Sequence, residues 1–173
     1  MGPGGPGIAA PMATTSPAPA VERVHPPDAI IRVVNPLMRR LLTSPLHRVV
    51  SGQLMLLRYR GRRSGRAVAL PLGRQLHRGR VAAFTNSRWR HNFRGGHEAE
   101  LVGHGTPRRV RGTLVEDVDE VAAAYAARIE ELGWQAAQRR LGIRVNAGRA
   151  QTREELADAI RASGLSIVVF DPI

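Results

Sequence analysis

The feature that most constrains the fold is a series of three short apolar runs separated by two tight turns. Both turns contain glycine and arginine, and the middle run contains Pro71, which a sheet tolerates only at an edge or a bulge. Runs of this length bounded by such turns predict β-strands that pair antiparallel with their neighbours. The predicted strands are residues 53–60, 67–76 and 81–85, and the turns are residues 61–65 and 77–80.

Sequence motifs further along the chain predict additional strands and helices. Asp117 is the predicted N-cap of a long helix that ends near residue 141. Thr152 and Glu155 have the spacing of a capping box, and Gly164 ends the helix that they begin. The remaining strands are predicted over residues 99–102, 108–116 and 165–170. Together these elements predict an α+β fold, a small antiparallel split β-barrel of about six strands with flanking helices.

The N-terminal part of the chain differs in composition from the rest. Residues 1–20 are almost entirely Gly, Pro, Ala, Ser and Thr, and we predict a disordered leader over residues 1–26. Residues 27–173 are predicted to form one domain. Within it, apolar residues at helical spacing predict short helices, with caps at Asn35-Pro36 and Ser44-Pro45. The sequence has neither a signal peptide nor an apolar run that could span a membrane, so we expect a cytoplasmic protein.

The charge distribution predicts an anionic partner. The formal net charge is +12 at pH 7, and residues 29–97 contain fifteen arginines but no aspartate or glutamate. Because there is no lysine, Schiff-base chemistry on a lysine is excluded. Because there is no cysteine, disulfides and thiolate metal sites are excluded as well. The histidines show no zinc-type spacing, so we predict no metal site.

The first turn carries the strongest binding signal. The guanidinium groups of Arg62 and Arg63 can make bidentate hydrogen bonds to phosphate or carboxylate oxygens. The hydroxyl of Ser64 and nearby backbone N–H groups can complete the cradle, and Gly65 permits close approach of the chain. A solvated basic hairpin tip is the alternative interpretation.

A second signal follows the third strand. Thr85 and Ser87 supply hydroxyl groups immediately before Trp89 and Asn92. An indole beside polar side chains suits a planar ring that stacks on one face and is hydrogen-bonded at its edge. A buried core tryptophan next to an ordinary helix cap explains the same residues.

Taken together, these motifs resemble the deazaflavin-dependent nitroreductase family. The resemblance rests on residues 61–66, on Pro71-Leu72 and on residues 87–92, in this order and spacing. Residues 167–172 are similar to the last strand of that family, and the similarity extends from residue 29 to the C-terminus. Members of the family have a split β-barrel fold and use the deazaflavin coenzyme F420.

The resemblance implies a role for each matching residue. The phosphate and glutamyl tail of the coenzyme would be held by Arg62, Arg63, Ser64 and Gly65. Its ring system would lie against Pro71 and Leu72, with Thr85 near the reactive face, Arg88 bringing charge towards the phosphate, and Trp89 and Asn92 framing the ring. Ser87 is the catalytic candidate, because it would bond a substrate oxygen. Tyr125 and Trp134 would line the substrate side.

The function implied is hydride transfer from reduced F420 to a small electron-poor acceptor, such as a quinone or a nitro compound. Relatives usually have a longer loop before the tryptophan, whereas Arg88 and Trp89 are adjacent here. An alternative is therefore a split barrel that binds FMN or haem.

Other partners stay open as alternatives. A basic nucleic-acid-binding module is disfavoured because aromatic residues for base stacking are scarce. Peripheral contact with an anionic membrane through the amphipathic residues 29–42 is compatible with a quinone acceptor. Barrels of this kind often form homodimers.

Overall fold

The computed structural model describes residues 21–23, 54–103, 106–145 and 151–173. Nine strands are found in these residues. They are β1 (Val21–Arg23), β2 (Leu54–Arg60), β3 (Ala67–Gly73), β4 (Gln75–His77), β5 (Arg80–Thr85), β6 (His97–Gly103), β7 (Thr106–Val115), β8 (Ile143–Val145) and β9 (Ser166–Pro172). Seven of them form one sheet in the order β3-β2-β6-β7-β9-β5-β4, while β1 and β8 pair separately. Every pair of neighbouring strands is antiparallel.

The connection between β3 and β4 shows that this sheet is curled. The two strands lie at opposite edges of the sheet, yet only Arg74 separates them in sequence. Because one residue spans at most about 3.6 Å, the two edges must approach each other. The sheet therefore forms a split antiparallel barrel, and the predicted α+β fold class is confirmed.

The alternation of side chains along the strands divides the apolar residues between two cores. One core fills the barrel and is formed by Met55, Leu57, Tyr59, Ala83, Phe93, Leu101, Val110, Val168 and Phe170. The second lies on the outer face of β5 and β9, where three helices cover the sheet. These helices are α1 (Val118–Leu132), α2 (Trp134–Leu141) and α3 (Arg153–Ser163).

Most predicted boundaries agree with the structure, but two elements are divided. The strand predicted over residues 67–76 is two strands, because the chain crosses from one sheet edge to the other at Arg74. The long helix that begins after Asp117 is broken at Gly133, whose φ of 74° is incompatible with helix. The predicted caps are present: Asp117 accepts from the Glu120 N–H at 2.9 Å, and Thr152 and Glu155 form the capping box.

The N-terminal expectations fall mostly outside the described residues. Of the leader predicted over residues 1–26, the structure describes Val21–Arg23, which pairs with Ile143–Val145 as a short strand. The predicted caps at Asn35-Pro36 and Ser44-Pro45, and the amphipathic residues 29–42, lie outside the described part of the chain. Among the residues that are described, none of the helices has the length and apolar character needed to cross a membrane.

Candidate functional site

The arginine-rich turn between β2 and β3 has a closed backbone. The Gly61 N–H donates to the Arg66 carbonyl at 2.9 Å, and the Gly65 N–H donates to the Gly61 carbonyl at 2.7 Å. Ser64 Oγ accepts from the Arg66 N–H at 3.3 Å. A Cβ atom at Gly61 would lie 2.7 Å from that Oγ, and Gly65 has a φ of +62°. The close contact at Gly61 and the positive φ at Gly65 therefore favour glycine at both positions. The side chain of Arg63 is exposed in this turn.

Asn92 connects this turn to the segment that follows β5. That segment is a 3-10 helix, Arg88–Phe93. Asn92 Oδ1 accepts from the Arg62 N–H at 3.0 Å, while Asn92 Nδ2 donates to the Trp89 carbonyl at 2.8 Å. One side chain thus bonds both sequence motifs, and it places the turn beside the tryptophan.

Two guanidinium groups converge on the glycines after the 3-10 helix. Arg62 donates to the Gly96 carbonyl, and Arg111 donates to the Gly95 carbonyl at 3.4 Å. A Cβ atom at Gly96 would lie 2.6 Å from Arg111 Nε and would displace this guanidinium group, and the φ of +86° at Gly96 also favours glycine. Sequence reasoning missed Arg111, because its place depends on the register of β7, in which it lies opposite Glu98.

Phe93 closes this end of the barrel. Its ring is fully buried and makes edge-to-face contacts with four other rings. The centroid distances are 5.2 Å to Tyr59, 5.7 Å to Trp89, 5.8 Å to His97 and 5.9 Å to Phe170. We call Phe93 with Tyr59, His97 and Phe170 the aromatic plug. Trp89 is half-buried against this plug, and part of its surface is still accessible beside the turn.

The hydroxyl residues after β5 differ in their exposure. Thr85 is buried, and its Oγ1 accepts from the Ser87 N–H at 3.0 Å. Ser87 is half-buried, and within the described part of the chain its hydroxyl group makes no hydrogen bond. Arg88 is exposed at the start of the 3-10 helix. Of these three residues, Ser87 and Arg88 can therefore reach a bound molecule directly.

The other predicted positions are distributed over the fold. Leu72 packs in the barrel interior, whereas Pro71 is on the opposite face of β3, across from Leu56. Tyr125 is fully buried in the outer core and packs edge-to-face on Phe84 at 4.8 Å. Trp134 is partly buried against the same outer core. Tyr125 and Trp134 thus belong to the helical layer and are not brought together with the turn.

Arg90, His91, Arg94 and Glu116 form a cluster of charged and titratable side chains next to the 3-10 helix. Arg94 makes two hydrogen bonds of 2.8 Å to the carboxylate of Glu116. These hydrogen bonds lower the pKa of Glu116. Burial, followed by the charges of Arg90 and Arg94, lowers the pKa of His91. The cluster therefore holds one ionised carboxylate and one neutral imidazole near neutral pH.

No group of His, Cys, Asp and Glu side chains that could hold a metal ion is found among the described residues.

The fold and the site define an α+β split β-barrel with an arginine-rich turn at one end. No family model matches the sequence, and no curated protein matches it. A similar solved structure is that of the conserved hypothetical protein Rv2991 from Mycobacterium tuberculosis, at 14% identity and a TM-score of 0.41, covering 92% of this chain and 86% of that chain. A similarity at this level assigns no function.

Proposed function

We propose that this protein is an oxidoreductase that binds the phosphorylated deazaflavin coenzyme F420 at the Arg62–Gly65 turn. The observation that carries the proposal is the pair of hydrogen bonds made by the Asn92 side chain, which accepts from the Arg62 N–H and donates to the Trp89 carbonyl. They hold a phosphate-type cradle and an indole next to each other, as a ligand with an anionic tail and a flat ring requires.

The charges at the turn fit the anionic tail of such a coenzyme. Within the described residues Arg63 has no ion pair, and the guanidinium group of Arg62 is bonded only to a neutral carbonyl group. Two carboxylates of neighbouring segments already have arginine partners, since Glu116 is bonded to Arg94 and Glu98 to Arg109. The guanidinium groups at the turn are therefore free to neutralise phosphate and carboxylate groups of a ligand.

The aromatic plug determines where a flat ring would lie. Because Phe93 fills the end of the barrel, the ring would rest on the surface between the turn and the 3-10 helix. There the hydroxyl of Ser87 would donate to a substrate oxygen, and the exposed part of Trp89 would border the ring. The bound coenzyme supplies the hydride, while the protein supplies orientation and a positive field.

The alternative ligands FMN and haem share an anionic group and a flat ring with F420. A fluorescence titration of the purified protein with oxidised F420, with parallel titrations of FMN and haemin, separates the three. We expect saturable binding of F420 at micromolar concentrations, and consumption of reduced F420 when a quinone or nitroaromatic acceptor is added. Tighter binding of FMN or haemin than of F420 would contradict the proposal.

A further inference from the structure

The end of the barrel that lies away from the turn holds a cavity of about 490 Å³. The direction of two strands shows that this is the opposite end. In β2, Met55 lines the cavity, whereas Arg60 leads into the turn. In β7, Arg108 lines the cavity, whereas a Cβ atom on Gly112 would meet the plug residue Phe93 at 2.4 Å.

The walls of the cavity are mainly apolar. They belong to the barrel core and are formed by Met55, Val81, Leu101, Val110 and Phe170. A cavity of this size is within the usual range for small-molecule sites, which is about 300–1,000 Å³. Apolar walls of this kind fit a compact hydrocarbon or aromatic group.

Two arginines lie at the mouth of this cavity. Arg108 is opposite Leu101 in the ladder between β6 and β7, so both residues are on the face that lines the barrel. Arg74 lines the mouth from the connection between β3 and β4. Neither Arg74 nor Arg108 forms an ion pair within residues 54–103, 106–145 and 151–173.

Three neighbouring arginines, in contrast to Arg74 and Arg108, have carboxylate partners. On the outer face of the sheet, Arg58 is bonded to Glu100 at 2.8 Å and Arg109 to Glu98 at 3.0 Å. Arg80, which also lines the cavity, is bonded to Asp171 at 3.3 Å. These carboxylates are thus bonded to Arg58, Arg80 and Arg109, while Arg74 and Arg108 keep their hydrogen-bonding capacity.

We propose that the open end of the barrel is a second binding site, for a small amphipathic anion. The apolar body of the ligand would fill the cavity, and its carboxylate or phosphate group would be bonded by Arg74 and Arg108. This site is separate from the coenzyme site, because the aromatic plug around Phe93 lies between them. The proposal therefore stands whether or not the turn binds F420.

Isothermal titration calorimetry with four probes tests the proposal. The probes are 2-naphthoate, 1-naphthyl phosphate, the neutral 2-naphthalenemethanol and acetate, so that head group and apolar body are varied separately. We expect one of the two naphthyl anions to bind at least about tenfold more tightly than the alcohol and acetate. The order of the two anions identifies the preferred head group.

Two charge-matched variants of the full chain make the test specific. Arg74→Ala/Arg108→Ala should weaken binding of the anions by about tenfold or more and leave binding of the alcohol unchanged. Arg139→Ala/Arg153→Ala removes the same charge from exposed helical positions and should change neither. If the first double variant does not fold, Arg108→Ala alone, at an exposed residue, serves in its place.

Three results would overturn the proposal. One is the absence of saturable binding of either naphthyl anion at millimolar concentration. Another is equal affinity for the anions and the alcohol. The third is an equal loss of anion binding in both double variants, which would reduce the effect to net charge. A titration of Arg74→Ala/Arg108→Ala with F420 keeps the two sites distinguishable, since we expect coenzyme affinity to be unchanged.

Discussion

Asn92 Oδ1 accepts the backbone N–H of Arg62 at 3.0 Å, between residues that are 30 positions apart in the sequence. The bond fixes the arginine turn against the 3-10 helix. Because its amide nitrogen also donates to Trp89, this asparagine is the residue on which the geometry of the proposed coenzyme site depends.

Replacing this asparagine tests whether that geometry matters. Asn92→Ala leaves the Arg62 N–H without its partner and releases the turn, so the dissociation constant for F420 should rise about tenfold. The free energy of unfolding should fall by about 1 kcal/mol. Fluorescence titration and urea denaturation measure the two effects.

The control for this variant lies at a distant helix. Thr152→Ala removes the capping box of α3 and should also cost about 1 kcal/mol of stability. Its affinity for F420 should not change. Equal loss of coenzyme binding in both variants would mean that the effect of Asn92→Ala comes from lower stability alone.

The contact between Gly112 and Phe93 predicts a coupled pair of mutations. A Cβ atom at Gly112 would lie 2.4 Å from the Phe93 ring, so Gly112→Ala should destabilise the protein by about 1–3 kcal/mol through overpacking. Phe93→Leu should also destabilise, because it removes part of a fully buried ring. In the double variant the smaller side chain leaves room for the new methyl group.

A double-mutant cycle by chemical denaturation measures this coupling. The double variant should be more stable than the sum of the single effects by about 0.5–3 kcal/mol. Strictly additive effects would show that the ring and the glycine are not in contact.

The ion pair between Glu116 and Arg94 predicts a pH dependence. Since the hydrogen bond from Arg94 lowers the pKa of Glu116 in the folded state, the pair stabilises the protein above the ordinary carboxyl pKa of 4.5. The contribution is lost as the pH falls through the lowered pKa of the folded state. Glu116→Gln should therefore be slightly less stable than the native sequence at neutral pH and equal to it below both pKa values. A stability difference that is the same at both pH values would contradict this assignment.

Local signals in the sequence were sufficient for most of the fold. The turn at residues 61–65, the N-cap Asp117 and the capping box at Thr152 depend on residue types at short spacing, and each is found in the structure. The crossing at Arg74 was not predictable in this way, because the interruption of the apolar run at Gly73-Arg74-Gln75 does not show where in the sheet each half lies. Only closure of the barrel reveals that β3 and β4 belong to opposite edges.

The same distinction between local sequence signals and tertiary structure applies to the two proposed binding sites. Residue types alone pointed to the turn, but the contact of Asn92 with Arg62 and the convergence of Arg111 depend on tertiary register. Phe93 was not singled out, since an apolar residue in a helical turn has no distinctive signal. Alternation along β7 places Arg108 on the same face as Val110, which belongs to the barrel core. This local pattern is sufficient to indicate that Arg108 lies on the side of the strand that faces the barrel interior.

The most direct test of the central claim compares two charge-matched variants in a fluorescence titration with oxidised F420. Arg62→Ala/Arg63→Ala should weaken binding by about 100-fold, because two charge-assisted contacts to the coenzyme tail are lost. Arg139→Ala/Arg153→Ala should bind within about twofold of the native protein, because its substitutions lie on exposed helix surfaces. Equal affinity in the two variants, or no binding of F420 to the native protein, would contradict the assignment of the turn as the coenzyme site.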